Sequence, residues 1–537
     1  MSSNSPSSFE GFPPEPDQRP VKQLPYQLRH NIAVFFEEHQ YLEGFAFLRE
    51  ITSSGTSSTN SAGPLTGFKP LPQHLACAAT IALHPQFSTR AKTEEDRQAA
   101  FEALRFLDAV LRVVGPIGAD FGEAFMFQDA NHRRHLKRRA TSDEEYDSDR
   151  LNTPFAHEKS LFNQVEDFWS VVGWAFNCSV AHKGRWAVWQ PWLAFMVDLL
   201  DEDLRSRVLF FAATGEVQVV QKSLLAIYVN KQGWTGRRNI MNAILADGTQ
   251  TSLNMFGEVW KDETKGRKET KVEPAKKLDI MDDKWGDYAA AEYEKDDVED
   301  EPTEDDKDTE LEVDMSCSVQ RLGGQDSVEL REHFIRLLFA LCANAPPGEF
   351  MALDQLCDLC TESLPKLPIG TYSSFLARLE LPPHAEAALL LNIIFSFLPN
   401  RPANVDLFSI TQPILVARYF PYPANSSETI DQAKMSLATE ALLLNLINQK
   451  MLDPDEKLIS SIKKGVDKRR EKAKRDTRRR DKSKVAEQAA AKLQLELSAE
   501  RIQTIIESGT ADDFPHEPSS ELSSLGNSSG DETIIDW

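Results

Sequence analysis

Long apolar runs are missing from this chain. No stretch approaches the roughly 18 uncharged apolar residues that a membrane-spanning helix requires, and the opening MSSNSPSSFEGFPPEPDQRP has no apolar secretory core. A protein kept away from membranes, in the cytosol or nucleus, is expected. Glycine is scarce for the length, 25 in 537 residues, which argues against an all-β architecture. The six cysteines, at positions 77, 178, 317, 342, 357 and 360, are too few and too scattered for a disulfide framework, and a reducing compartment fits them. Catalytic signatures are missing as well. There is no GxxxxGK[ST] phosphate loop, no GxGxxG after a strand, no HExxH and no GxSxG elbow. The single pair at metal spacing, Cys357 and Cys360, has no second CxxC or spaced His pair beside it, so two cysteines on a helix face are expected. The chain is therefore read as non-enzymatic, with no metal and no cofactor.

What is present is charge, and it is segregated. The formal net charge is −23, an acidic run extends from Asp282 to Asp314, and a basic run occupies residues 463 to 484. That balance disfavours indiscriminate binding to phosphate backbones and leaves nucleic acid only a local segment to engage. With 41% hydrophobic and 27% charged residues, the composition suits helical blocks joined by disordered segments.

Residues 1–21 are expected to be a disordered tail and 22–258 a helical domain with an exposed loop over 129–160. In QLRHNIAVFFEEHQYLEGFAFLREI, the residues Ile32, Phe35, Phe36, Leu42, Phe45 and Leu48 fall on most of one face. Through Tyr41 and Phe45 the stretch resembles a LisH-type dimerisation helix pair, although Gln40 stands where that family has glycine; the plain reading is a core helix. Residues 259–325 lack the apolar content to offset the entropy of ordering and are expected to form a disordered acidic linker. Its Trp285, Tyr288 and Tyr293 sit beside carboxylates, as in a docking motif. A second helical domain is expected over 326–452, with the echoing segments AALLLNII and EALLLNLI hinting at helical repeats. Residues 453–508 read as one long helix, basic then amphipathic, and 509–537 as a disordered acidic tail. The fold class is thus all-α: two helical-bundle or helical-repeat-like blocks, an acidic connector and a long basic helix.

Between Lys463 and Lys484 there are thirteen Lys or Arg residues against four acids. Lys463, Lys464, Lys468, Arg469, Arg470, Arg478, Arg479 and Arg480 are the candidates for nuclear import or phosphate contact. Aromatic residues are missing from this run, so any nucleic-acid contact there is expected to be electrostatic and salt-sensitive. Trp186, Trp189 and Trp192 recur every third residue; they are either core or an aromatic groove for a partner. Thr141 and Ser142 stand between arginines and acids and are candidate phosphorylation sites. The segment Asp531–Trp537 sets two isoleucines between acids, a pattern similar to SUMO-interacting motifs, which add a strand to a partner's sheet. Taken together, the residues suggest a nuclear scaffold or adaptor in a chromatin- or ribonucleoprotein-associated complex, whose partners are other proteins. The alternative is a nucleic-acid-binding factor in RNA processing or ribosome assembly, contacting DNA or RNA through residues 463–484.

Overall fold

The computed structural model describes residues 21–54, 67–127, 151–216, 218–265, 320–345, 351–398, 410–476 and 482–508. These residues are mostly helical, as expected. They divide into two compact units, residues 1–356 and 357–537.

In the first unit, β1 (Val21–Gln23) pairs in parallel with β2 (Gly67–Lys69), Val21 facing Gly67. Between them run α1 (Tyr26–Glu37) and α2 (Tyr41–Ser54), followed by α3 (Pro72–Leu83) and α4 (Glu94–Val113). Helix α4 starts where Thr93 accepts from the Asp96 N–H while Asp96 accepts from the Thr93 N–H, a reciprocal cap reinforced by Glu94 and Glu95 in the first turn. It packs on α2 and α3. Tyr41 and Phe45 are both buried, and the Tyr41 hydroxyl lies 3.0 Å from Thr153 Oγ1. The aromatic face behind the LisH resemblance is thus consumed inside the unit.

Helix α5 (Phe168–Ala181), capped by Asp167, is apolar around its circumference, and α6 (Lys183–Thr214) lies against it. After α7 (Leu224–Lys231) and α8 (Gly233–Ile244), the described chain continues to Lys265. Order was expected to fade at Trp260. Instead Trp260 and Glu263 are buried, because Glu263 meets the Arg185 guanidinium at 2.5 Å and accepts from the Trp189 indole at 2.9 Å. The same carboxylate receives the backbone N–H groups of Val259 and Trp260. An ion pair this well hydrogen-bonded fastens residues 258–265 to the core.

Helix α9 (Gln325–Asn344), expected to open the second block, packs in the first unit against α6, α7 and α8. The reason is Arg331. Its buried guanidinium donates to the Ile244 carbonyl at 2.6 Å, reaches Ser327 and Ser179, and stands 4.1 Å over the Phe176 ring. Burial pushes Arg331 down to about 9, and the open carbonyl at the end of α8 offsets part of that cost. Nothing in a local sequence window distinguishes this arginine from a surface one.

The helix α10 (Leu353–Ser363) straddles the boundary. The second unit proper holds α11 (Ile369–Arg378), α12 (Pro383–Phe397), α13 (Gln412–Arg418), α14 (Thr429–Asn448), α15 (Glu456–Lys474) and α16 (Lys482–Ser508). Helix α14 is central, packed by α11, α12, α15 and α16. The echoing segments of α12 and α14 are neighbours, alike because both are buried on nearly every side.

The long terminal helix is two helices. Helix α15 buries Leu458, Ile462, Val466 and Arg469, and α16 buries Ala491, Leu495, Ala499 and Ile502. A straight rod cannot press both stripes onto α14, so the chain reverses. At the reversal Asp476 accepts from the Thr429 N–H at 3.0 Å and so caps the start of α14. Ion pairs from Arg470 to Glu496 (2.7 Å) and from Arg501 to Glu440 (2.5 Å) tie the antiparallel pair together and to α14.

Candidate interaction surface

The second unit carries two exposed surfaces built from α15 and α16. Helix α15 reaches its position through Gly465, which lies so close to the Phe420 carbonyl that a Cβ there would collide with it. A mid-helix glycine costs about 1 kcal/mol relative to alanine, and close backbone approach is what it makes possible here. That approach sets Lys457, Lys464 and Lys468 along an open groove of about 510 Å³ whose far wall includes Pro421 and Tyr422. The Lys468 ammonium stands 5.5 Å from the Tyr422 ring centroid, a cation-π distance. Tyr422 is exposed, so the fold supplies beside the lysines the aromatic that the basic run itself lacks. Sequence reasoning missed both Lys457 and Tyr422, since only the packing of α13 on α15 brings them in.

The basic cluster is therefore divided. Lys463 and Lys464 are exposed and Lys468 is half-buried beside Tyr422. Arg470 is paired with Glu496, and Lys472 donates to the Ala424 and Asn425 carbonyls at 2.6 and 2.7 Å. Arg469, expected to face a receptor or phosphate, is fully buried. None of its three guanidinium nitrogens has an acceptor among the described residues, and burial pushes its pKa down to about 10. It falls on the buried stripe because it follows Val466 by three residues and Ile462 by seven. Arg478, Arg479 and Arg480 lie outside the described residues, as do Thr141 and Ser142.

Helix α16 has two apolar faces. One packs on α14; on the other, Val485, Leu493 and Leu497 are 53%, 46% and 37% exposed, with Ala489 between them at the same four-residue spacing. Lys492 and Glu500 flank this outward stripe. The apolar face expected through Leu493, Leu497, Ile502 and Ile505 or Ile506 is divided by the fold: Ile502 is buried, whereas Leu493 and Leu497 face outward. The outward stripe becomes evident only once the inward one is assigned.

Trp186, Trp189 and Trp192 are buried in the core of the first unit. With Leu193, Met196 and Leu200 they make the face of α6 that turns inward. Trp189 lies edge-on to Trp192 at 5.7 Å, stacks on Trp260 at 6.1 Å, and gives its N–H to Glu263. Cys357 and Cys360 are both buried on α10, and no group of three metal-binding side chains is assembled among the described residues. No helix among the described residues is long and apolar enough to cross a membrane.

Comparison with protein-family models and with curated proteins finds no match for this chain.

Proposed function

We propose that this chain is a non-enzymatic nuclear scaffold or adaptor, mediating protein-protein interactions in a chromatin- or ribonucleoprotein-associated complex through its second unit. The observation that carries this reading is the outward stripe of α16. A helix already packed on one side gains nothing from a second row of leucines unless something else covers it, and contiguous apolar surface rimmed by charge is the usual mark of a docking site. Lys463 and Lys464 remain free for an import receptor. In the full chain, Leu493→Glu with Leu497→Glu should leave the far-UV circular dichroism unchanged and abolish the set of proteins labelled by a proximity tag in nuclei. An unchanged set refutes the role of the stripe. Lys463→Ala with Lys464→Ala should shift a fluorescent fusion towards the cytoplasm.

A second reading, a nucleic-acid-binding factor, is favoured by Tyr422 standing beside Lys457, Lys464 and Lys468. Aromatic stacking beside cations is what single-strand recognition uses. Three lysines predict a slope of log affinity against log salt of about −2 on single strands, where all thirteen cations of the run would give about −9. Tyr422→Ala should weaken RNA binding about tenfold if the groove is the binding surface. Indifference to that substitution removes this reading.

A further inference from the structure

At one end of the second unit, α14, α15 and the last turn of α16 leave an apolar groove of about 210 Å³. Leu443 and Ile447 line it from α14, Leu458 and Ile462 from α15, and Ile505 and Ile506 from α16. That volume accommodates one large side chain or two aliphatic ones. Lys450 is the only ionisable residue among those lining the groove. It adopts φ 56°, the left-handed conformation with which helices commonly end on glycine or asparagine, just beyond the end of α14. A lysine held there accepts backbone strain of about 1 kcal/mol that glycine would avoid, and it lines the groove.

We infer that this groove is the intramolecular docking site of the segment Asp531–Trp537, with Ile534 and Ile535 entering the apolar trough and the flanking carboxylates meeting Lys450. Three features of the molecule support that occupant. Helix α16 delivers the chain to the groove's own lip, since Ile505 and Ile506 line it and Ser508 ends the helix. Ile534 lies 26 positions beyond Ser508 (534 minus 508), and a coil of that length has a root-mean-square span of about 28 Å, enough to return. Tethering at that length gives an effective concentration of about a millimolar, so even a weak contact is populated. Charge agrees as well. Residues 509–537 contain no lysine or arginine, and Asp531, Glu532 and Asp536 bracket the two isoleucines. The segment and the α16 stripe are separate surfaces, so the inference stands independently of the adaptor reading. Its consequence is a groove already occupied in the resting chain, from which a competing apolar-acidic peptide has to displace the tail.

Hydrogen exchange on the full chain tests this. Ile534→Asp with Ile535→Asp, placed beyond the last described helix, should accelerate exchange about tenfold in the peptides covering residues 443–450, 458–462 and 502–506, and leave α11 and α12 unchanged. A synthetic peptide of residues 526–537, added at millimolar concentration to that variant, should restore protection. Lys450→Gly keeps the left-handed backbone at no steric cost, so it should preserve or raise the melting temperature while losing the same protection. Equal exchange in the parent and the double variant overturns the inference. So does protection released instead by Phe514→Ala, which would assign the groove to a different segment, or protection that grows with protein concentration, which would assign it to a second copy of the chain.

Discussion

Replacing Arg469 with methionine should stabilise the protein. The guanidinium is fully buried, its three nitrogens have no acceptor among the described residues, and burial pushes its pKa down to about 10. A depression of that size corresponds to about 3 kcal/mol of disfavoured charge, at about 1.4 kcal/mol per unit. The folded pKa lies below the unfolded one, so the penalty is fully present below about pH 10 and is relieved only above it, where the folded arginine has lost its proton and the unfolded one still holds it. Methionine keeps the unbranched stem, fills most of the same space and removes the charge. The expected gain is about 1 to 4 kcal/mol at neutral pH, the range found when buried charge is replaced by apolar groups. Apart from Trp537, every tryptophan precedes residue 357, so tryptophan fluorescence follows the first unit. The second unit's transition is then the part of the urea-induced circular dichroism change that fluorescence does not share. Arg469→Met should move that part to higher urea, and Arg469→Lys should not. A loss of more than about 1 kcal/mol in Arg469→Met refutes the reasoning, because it means that the guanidinium is held by an acceptor or anion beyond the described residues.

In the first unit, Glu263→Gln leaves Arg185 buried without its carboxylate and should cost about 3 to 5 kcal/mol, read as an earlier fluorescence transition and faster proteolysis at residues 258–265. His74 and His84 are buried, accept backbone N–H groups at Nδ1, and are pushed down from 6.5 to about 3, chiefly by burial. The unfolded chain binds these two protons at a pH where the folded one does not. Their contribution is complete above about pH 6.5 and is lost towards pH 3, at about 1.4 kcal/mol per unit for each histidine; acid titration of the fluorescence midpoint in His74→Gln should show about half that slope. Gly465→Ala gains helix propensity but drives a Cβ into the Phe420 carbonyl, so a net loss of about 1 to 3 kcal/mol is expected in the second unit's circular dichroism transition.

Much of the helical architecture was legible because periodicity and caps are local signals. The segment FWSVVGWAFNCSV has the pattern of a buried helix, with a break expected at Lys183 and Gly184; it forms α5, the break falls at His182, and Lys183 and Gly184 open α6. What escaped is long-range. Glu263 reads as one acid among many at the edge of an acidic stretch, until Arg185 is found 78 residues away. Arg331 reads as a surface residue of an amphipathic helix, until the carbonyl of Ile244 gives it a donor's role in the core. The tryptophans illustrate the converse: a three-residue recurrence shows which residues share a face, and only packing shows whether that face looks inward.

Arg469 sets two readings of the same residues against each other. Counted as composition, it is one of thirteen cations in a run that invites a receptor or phosphate; counted by period, it continues the stripe Leu458, Ile462 and Val466. Period prevails because the apolar stripe has to be buried and carries the arginine with it. Departures from local rules occur in both units: in the first, Phe101 and Leu209 are exposed and His39, Asp120 and Asp262 hold a left-handed backbone. In the first unit the deeply buried charges are matched: Arg185 with Glu263, Asp203 with Arg207 and the Leu224 N–H, and Arg331 with the end of α8. In the second unit Arg469 has no acceptor among the described residues, Gly465 sits mid-helix against the Phe420 carbonyl, Lys450 holds a left-handed backbone, and Leu493 and Leu497 face solvent. All five belong to α14–α16 or the residues just beyond α14. Exceptions that folding alone does not require are where function is expected to reside, and the charge and apolar surface carried by these five positions are the ground on which the docking role is proposed for the second unit.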